Sequence, residues 1–357
     1  MSLSEVTNPV LTQCSINGTV DQLIRKAKKE MKRWFTSENT KIANSLEYYE
    51  EAANFLKSKK QCQRAAELFV KCAGLKLRVG KLYEAANHFK QAGIQLKLCG
   101  DPLSTENFDK AINLLSESGK GTMAANLSKE LAEFFEKSSD YEDAILNYER
   151  ASDLHKGEGH DTQSDHCLEK VAILQIKLEK PDYFKAAKIF ETMGIDLMTN
   201  RLRRFSAKKH FFRSILCMLA CHDVIGANVK FDEFCQEDFQ FKNSREGKFS
   251  LKLINALDII DGNKFSEAYR DYVDVTPLDP WHISVLRQAQ RLFDPESGEH
   301  SEHHSEHVKN SETKKKEEVI DDTVNDDDTV NDDSVIERKK KRDMEESYDE
   351  DDIGLFA

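Results

Sequence analysis

A short sequence phrase, one or two small residues followed a helical turn later by a large apolar residue, occurs five times in this chain. The copies are Cys62–Phe69, Tyr83–Phe89, Phe108–Leu115, Tyr141–Tyr148 and Tyr183–Phe190. Small residues let two helices approach closely where they cross, and the large residue fills the gap beside the crossing. The phrase therefore predicts helices that pack in successive pairs.

Long helices are permitted because proline is scarce. Only Pro102 and Pro181 lie between residues 21 and 276, and proline is the residue that most strongly interrupts a helix. Apolar residues there recur at three- and four-residue steps, the period of an amphipathic helix. The five phrases start 21 to 42 residues apart, whereas a regular tetratricopeptide array repeats every 34 residues. We therefore predict an all-α fold, an irregular tetratricopeptide-like (TPR-like) solenoid of antiparallel helix pairs.

Four parts are predicted along the chain: a flexible segment at 1–20, the solenoid at 21–200, a helical bundle at 201–293 and a tail at 294–357. The bundle is expected because Phe211–Ala220 and Leu251–Ile260 are apolar on more than one side, as central helices are. The alternative is that helix pairs continue stacking to residue 293.

The tail differs from the rest of the chain in charge. Residues 294–357 contain 23 acidic and 9 basic side chains, and the preceding residues contain 41 and 43. The tail also repeats Asp-Thr-Val-Asn-Asp-Asp and has few aromatic residues. Such a composition cannot bury enough apolar surface to offset the entropy of ordering it. We predict a disordered, acidic, low-complexity tail.

Motifs for catalysis are missing. The segment Gly119-Lys120-Gly121-Thr122 lacks the remaining residues of a phosphate-binding loop. Cys217, Cys221 and His222 lie close together in the sequence, which suggests either a metal site or, as we prefer, an apolar helix face. We expect no enzyme activity, cofactor, metal or nucleic-acid partner. The chain shows no secretory signal and its cysteines form no disulfide pattern, so we expect a cytoplasmic protein.

Four strings carry a family resemblance. They are Tyr148–Glu158, Cys167–Ala172, Ser206–Phe212 and Leu278–Trp281. Their order and spacing resemble the α-type soluble NSF attachment proteins, from about residue 21 to residue 293. The resemblance implies an adaptor that binds the four-helix SNARE complex, which contains syntaxin-like chains, and recruits the hexameric ATPase NSF.

The resemblance also implies a set of basic residues for the acidic SNARE rod. The matching positions are Lys57, Lys60, Lys97, Lys120, Lys170 and Lys208. Asn126 and His166 stand where the family usually has lysine, and Lys209 and Arg213 are candidates to compensate. Each exposed ion pair contributes only about 0.2–1 kcal/mol, so several must act together.

Trp34 and Phe35 are candidates for peripheral membrane contact, in place of the family's longer aromatic loop. Six basic residues lie just before them: Arg25, Lys26, Lys28, Lys29, Lys32 and Arg33. Cations attract anionic headgroups while aromatic rings insert at the lipid surface. The alternative is that the two rings cap the core of the first hairpin.

For NSF, the resemblance implies acidic residues on the last helices and a leucine that follows an acidic stretch. Asp258 matches one acid, Asn255 and Ile259 replace two others, and Leu355 follows the acidic run of residues 349–352. A different hypothesis is a TPR-like scaffold that grips the C-terminal peptide of a chaperone or another trafficking protein. That scaffold would need a carboxylate clamp in one groove.

Overall fold

The computed structural model describes residues 9–293. They form fourteen α-helices and two short 3₁₀ helices, with no strand among these residues. The α-helices, α1 to α14 in chain order, are Pro9–Met31, Glu38–Ser58, Cys62–Arg78, Leu82–Leu98, Leu103–Glu117, Gly121–Lys137, Tyr141–Gly157, Asp161–Gln175, Tyr183–Thr199, Ala207–Ala220, Val224–Glu237, Arg245–Asp258, Gly262–Val273 and Pro280–Gln290. The 3₁₀ helices are Arg204–Ser206 and Phe241–Asn243. The all-α prediction is confirmed for this part of the chain, and the prediction of a disordered tail lies outside it.

The first helix begins earlier than the sequence patterns suggested. We predicted a flexible segment at residues 1–20, but α1 starts at Pro9. Ile16, Val20 and Leu23 recur at helical spacing and are buried in one cluster with residues of α2. Gly18 has low helix propensity, and this burial outweighs it.

Two compact units meet between Val171 and Ala172, within α8. The sequence patterns predicted the boundary between the solenoid and the helical bundle at residue 200, after α9. However, α9 packs against α10, because Gly194 leaves room for the ring of Phe211. A Cβ on Gly194 would lie only 2.5 Å from that ring. Helix α9 therefore belongs to the second unit.

In the first unit, each helix from α1 to α6 packs against the next one in the chain, as in a TPR-like solenoid. The small residues of the repeated phrase lie at these crossings, and Ala65, Ala85 and Ala111 are fully buried. Gly93 of α4 makes a similar close approach, since a Cβ there would lie 3.0 Å from the ring of Phe108. Small side chains thus set the distance between successive helices.

Eight turns between consecutive helices share one backbone conformation. A residue with positive φ follows the helix, at Lys60, Gly80, Gly100, Gly119, Ser139, Gly159, His222 and Ile260. The residue after it donates its N–H to the carbonyl five positions earlier, as Gln61 does to Leu56 at 3.0 Å and Asp261 to Ala256 at 2.8 Å. This Schellman geometry satisfies the last carbonyls of each helix and reverses the chain within a few residues.

Helix α10 is the centre of the second unit. It packs against α9, α11, α12 and α14, and eleven of its fourteen residues are buried. Phe211 stacks on Phe234 at 4.4 Å between ring centroids and meets Phe241 edge-on at 5.7 Å. Helix α10 therefore contacts neighbouring helices on several sides.

Of the two cysteines near the end of α10, Cys217 is buried in this core and Cys221 is exposed. Burial raises the pKa of the Cys217 thiol well above its ordinary value, and the Nε2 atom of His222 lies 3.2 Å from the carbonyl oxygen of Gln288. Across residues 9–293, no cluster of three or more His, Cys, Asp or Glu side chains is arranged to hold a metal ion. None of the helices described is both long and apolar enough to cross a bilayer.

Ile260 gives a direct test of the shared turn geometry. Its φ is +52° and its side chain is 66% exposed. A β-branched residue in the left-handed region costs the folded state roughly 1–2 kcal/mol. Glycine removes this cost, but it also raises the entropy of the unfolded chain, which offsets part of the gain in stability. We expect Ile260→Gly to raise the free energy of unfolding by about 0.5–1 kcal/mol in urea titrations.

The matched control is Ile259→Gly, because Ile259 is also exposed but has a φ of −93°. That variant has no strain to relieve and should be slightly destabilised. An equal loss of stability in both variants would contradict the assignment of strain to Ile260.

Candidate functional site

Three of the lysines implied by the resemblance are exposed in the first unit. Lys57 lies in the last turn of α2 and donates a 3.1 Å hydrogen bond from Nζ to Oε1 of Gln91 on α4. Lys60 has the positive-φ position of the α2–α3 turn and lines an open cavity of about 690 Å³. Lys120 is the residue that caps the start of α6. These three side chains are accessible to solvent.

Lys97 is held inside the same unit. Its Nζ atom lies 3.8 Å from the centroid of the Phe134 ring on α6, a close cation–π contact. Burial and repulsion from Lys137 lower the pKa of Lys97 to about 8, although Glu130 opposes the shift. Lys97 therefore joins α4 to α6.

Lys170 is likewise engaged. Its Nζ atom donates to both carboxylate oxygens of Glu136, at 3.1 and 3.2 Å. Glu136 also accepts a 2.8 Å hydrogen bond from the hydroxyl of Tyr148, whose pKa is raised by burial and by this bond. One carboxylate on α6 thereby links α7 to α8, and the charge of Lys170 is largely balanced within the protein.

The contacts of Lys57, Lys97 and Lys170 follow one layer of the first unit. They connect α2 to α4, α4 to α6 and α6 to α8, and we call α2, α4, α6 and α8 up to Val171 the even-helix layer. Lys57 and Lys97 lie in the last turns of their helices, and Lys170 meets the last turn of α6. Lys120 is in the same layer but at the opposite end of α6. Five of the six implied lysines therefore lie in or beside one layer.

The odd-numbered helices are linked differently. Arg64 of α3 lies 4.0 Å from Asp21 of α1, and Arg150 of α7 lies 2.7 Å from Asp109 of α5. These cations face carboxylates, whereas Lys57 and Lys97 face an amide and an aromatic ring. Lys170 of the even-helix layer also faces a carboxylate, that of Glu136, so the two sets of helices differ at the contacts of Lys57 and Lys97.

The second unit contains the sixth lysine. Lys208, in the first turn of α10, has its Nζ atom 3.4 Å from Oε1 of Glu246 and is partly exposed. Arg213 does not replace a missing surface charge, because its guanidinium lies 5.5 Å from the Phe190 ring and 5.6 Å from the Trp281 ring. Lys209, the other candidate for compensation, is exposed.

The aromatic pair lies in the loop between α1 and α2. The exposed fractions of Trp34 and Phe35 are 86% and 99%, so neither ring fills the core of the first hairpin. The loop is anchored instead by Ser37, whose hydroxyl accepts from the backbone N–H of Thr40 at the start of α2. All six basic residues before the aromatic pair are exposed as well.

Asp258, the residue implied for NSF, is exposed at the end of α12. It borders a cavity of about 460 Å³ together with Asn255 and Ile259, the two positions where this chain departs from the family. Leu355, the other implied residue, lies outside the described residues.

Gln91, Phe134 and Glu136, the partners that hold the lysines, were not identified from the sequence. A signal for two of them exists, because the Lys57–Gln91 and Glu136–Lys170 contacts each span 34 residues. That separation equals one tetratricopeptide period, so residues one repeat apart meet in the even-helix layer.

Comparison with known proteins identifies a family over most of the described residues. The profile of the family described as "Soluble NSF attachment protein, SNAP" matches residues 18–293. A beta-soluble NSF attachment protein of Bos taurus is 30% identical over 277 residues, which cover 76% of this chain and 92% of the relative. An alpha-soluble NSF attachment protein of Mus musculus is 31% identical over 256 residues, or 71% of this chain and 86% of the relative. Its counterpart from Vitis vinifera is 28% identical over 273 residues, or 76% and 93%. The chain belongs to the soluble NSF attachment protein family.

Proposed function

We propose that this chain is a non-catalytic adaptor that binds four-helix SNARE complexes and recruits the hexameric ATPase NSF in vesicle trafficking. Family membership supports the proposal, as do relatives named as NSF attachment and vesicular-fusion proteins. The observation that carries it is the row of lysines in the even-helix layer. An acidic rod laid along that layer would meet one lysine after another. The adaptor works in the cytoplasm, at the surface of membranes.

The six lysines have different roles in this proposal. Lys57, Lys60 and Lys120 are exposed and contact the rod, with Lys208 contributing from the second unit. Lys97 and Lys170 hold helices of the layer together and add to its field. Because each exposed pair contributes about 0.2–1 kcal/mol, affinity depends on their sum and falls as salt screens them.

Recruitment of NSF is assigned to the other end of the chain. Asp258 supplies an exposed carboxylate at the end of α12. Leu355 follows four consecutive acids, the pattern that the resemblance links to stimulation of the ATPase. Both residues would act on NSF after the SNARE complex is bound.

Trp34 and Phe35 are assigned to peripheral membrane contact. Both rings are exposed and do not pack in the core of the first hairpin. The exposed cations beside them would attract an anionic lipid surface. Each cation near such a surface contributes on the order of 1 kcal/mol.

The first prediction of this proposal concerns the exposed lysines. Reversing Lys57, Lys60 and Lys120 together to Glu should weaken capture by immobilised SNARE complex roughly 10- to 100-fold, since three favourable pairs become repulsive. NSF should be lost from the same beads. The matched control reverses three exposed lysines on odd-numbered helices: Lys71, Lys110 and Lys156. Equal effects of the two triple variants would refute the even-helix layer as the binding surface.

The same capture assay, with the ATPase rate of bound NSF as a second readout, distinguishes SNARE binding from NSF stimulation. Deleting residues 350–357 should leave capture of SNARE complex in place and lower the ATPase rate of bound NSF. An unchanged ATPase rate would remove Leu355 from the proposed NSF contact without affecting the SNARE proposal.

The membrane assignment predicts a loss of lipid binding without a loss of stability. Replacing Trp34 and Phe35 with Ser should reduce flotation with anionic vesicles about tenfold or more, because two large apolar rings no longer insert. The urea midpoint should not change, as the rings contact no core. Ile225→Ser, at another exposed apolar position on α11, is the control. Flotation equal to the wild type would contradict membrane contact through this loop.

Lys97 gives a pH-dependent test of its structural role. Its pKa is about 8 in the folded protein and ordinarily 10.5, so between these values the unfolded chain binds more protons. Stability from this group therefore rises as pH increases from 8 towards 10. Urea unfolding from pH 7 to pH 10 should show wild type gaining stability relative to Lys97→Met. A constant difference between wild type and Lys97→Met over this range would contradict the burial of the Lys97 ammonium group.

A further inference from the structure

A groove in the second unit is used by the proposed adaptor through Lys208 alone. It has a volume of about 520 Å³ and is lined by Arg204, Phe205, Lys208, Asp238 and Phe239 among others. The exposed fractions of Phe205 and Phe239 are 71% and 83%. Two large rings at one concave surface form an apolar site that water solvates poorly.

Two basic residues line the groove, Arg204 and Lys208, of which Lys208 also lies 3.4 Å from Glu246. Five of the nine residues from 201 to 209 are basic and none is acidic. The acidic lining residue, Asp238, is buried, and its Oδ1 atom accepts a 3.0 Å hydrogen bond from the backbone N–H of Gln240. A ligand for this groove should combine several negative charges with apolar side chains.

One segment of this chain has that composition. Residues 349–352 are four consecutive acids, and Ile353, Leu355 and Phe356 follow directly. We propose that residues 349–356 dock in this groove of the same chain, with Leu355 and Phe356 against Phe205 and Phe239 and the acids beside the basic residues of 201–209. The family match ends at residue 293, so this contact belongs to the part of the chain beyond it.

The connection is long enough for the contact. Residues 294–348 provide 55 residues after the last described position, and an extended chain of that length spans at most about 180 Å. A unit of this size has a radius of gyration of about 14 Å. Any point on its surface is within reach, and tethering gives an effective concentration of the order of millimolar.

Docking would regulate the proposed adaptor. The docked acids would neutralise Lys208 and hide Leu355, so the SNARE-binding lysine and the NSF-facing leucine become available together when the segment leaves. This consequence rests on the proposed function, whereas docking itself does not.

Hydrogen–deuterium exchange on the full chain alone tests the docking, with neither SNARE complex nor NSF present. Backbone amides of residues 201–206 and 238–244 should exchange about tenfold more slowly in wild type than in a variant with Asp349, Glu350, Asp351 and Asp352 changed to amides. That factor corresponds to a millimolar effective concentration and an affinity of about 0.1 mM for the free segment. Protection should fall as salt is raised.

The control changes Asp321, Asp322, Asp326 and Asp327 to Asn, which alters the net charge equally and should keep the protection. In the reverse direction, Phe205→Ser with Phe239→Ser should speed exchange in residues 349–356, whereas Ile225→Ser should not. Equal exchange in wild type and the 349–352 variant overturns the proposal. Vesicle binding that requires Phe205 and Phe239, with no effect of residues 349–356 on exchange, also overturns it and assigns the groove to lipid.

Discussion

Close approach of successive helices is the constraint on which the first unit depends. Alanines such as Ala65 and Ala124 lie at the crossings, and the ring of Phe108 contacts the backbone of α4 because Gly93 has no side chain. A larger residue at any of these positions would force two helices apart. The shared Schellman turns act with the small residues, because each satisfies the end of one helix and returns the chain at once for the next.

This arrangement explains why lysines far apart in the sequence form one surface. When each helix packs on the next and reverses direction, every second helix lies in the same layer. Residues about one helix pair apart then meet, as Lys57 meets Gln91 and Lys170 meets Glu136. The layer needs internal contacts to hold its helices together, and it also exposes charge. Different lysines perform these two tasks: Lys97 and Lys170 contact Phe134 and Glu136, whereas Lys57, Lys60 and Lys120 are exposed.

Much of the fold could be predicted because it is encoded locally. Helical periodicity and scarce proline predict the all-α fold, and the repeated phrase predicts paired helices. The start of α1 was not predictable from propensity, because Gly18 argues against a helix and only burial against α2 outweighs it. The assignment of α9 to the second unit was also not predictable from the sequence patterns. Its phrase resembles those of the solenoid, but the approach of Phe211 to Gly194 joins it to the second unit.

For the site, the sequence by itself determined which residue types are present: the set of lysines, the aromatic pair and the exposed acid at the end of α12. Only the tertiary structure decided that Lys97 and Lys170 are engaged inside the protein, while Lys57, Lys60 and Lys120 are exposed. It also decided that Trp34 and Phe35 stand clear of the core and that Phe205 and Phe239 share one groove. The physical reason is that helix formation depends on neighbours a few residues away. Burial and charge compensation depend instead on side chains that folding brings from distant positions.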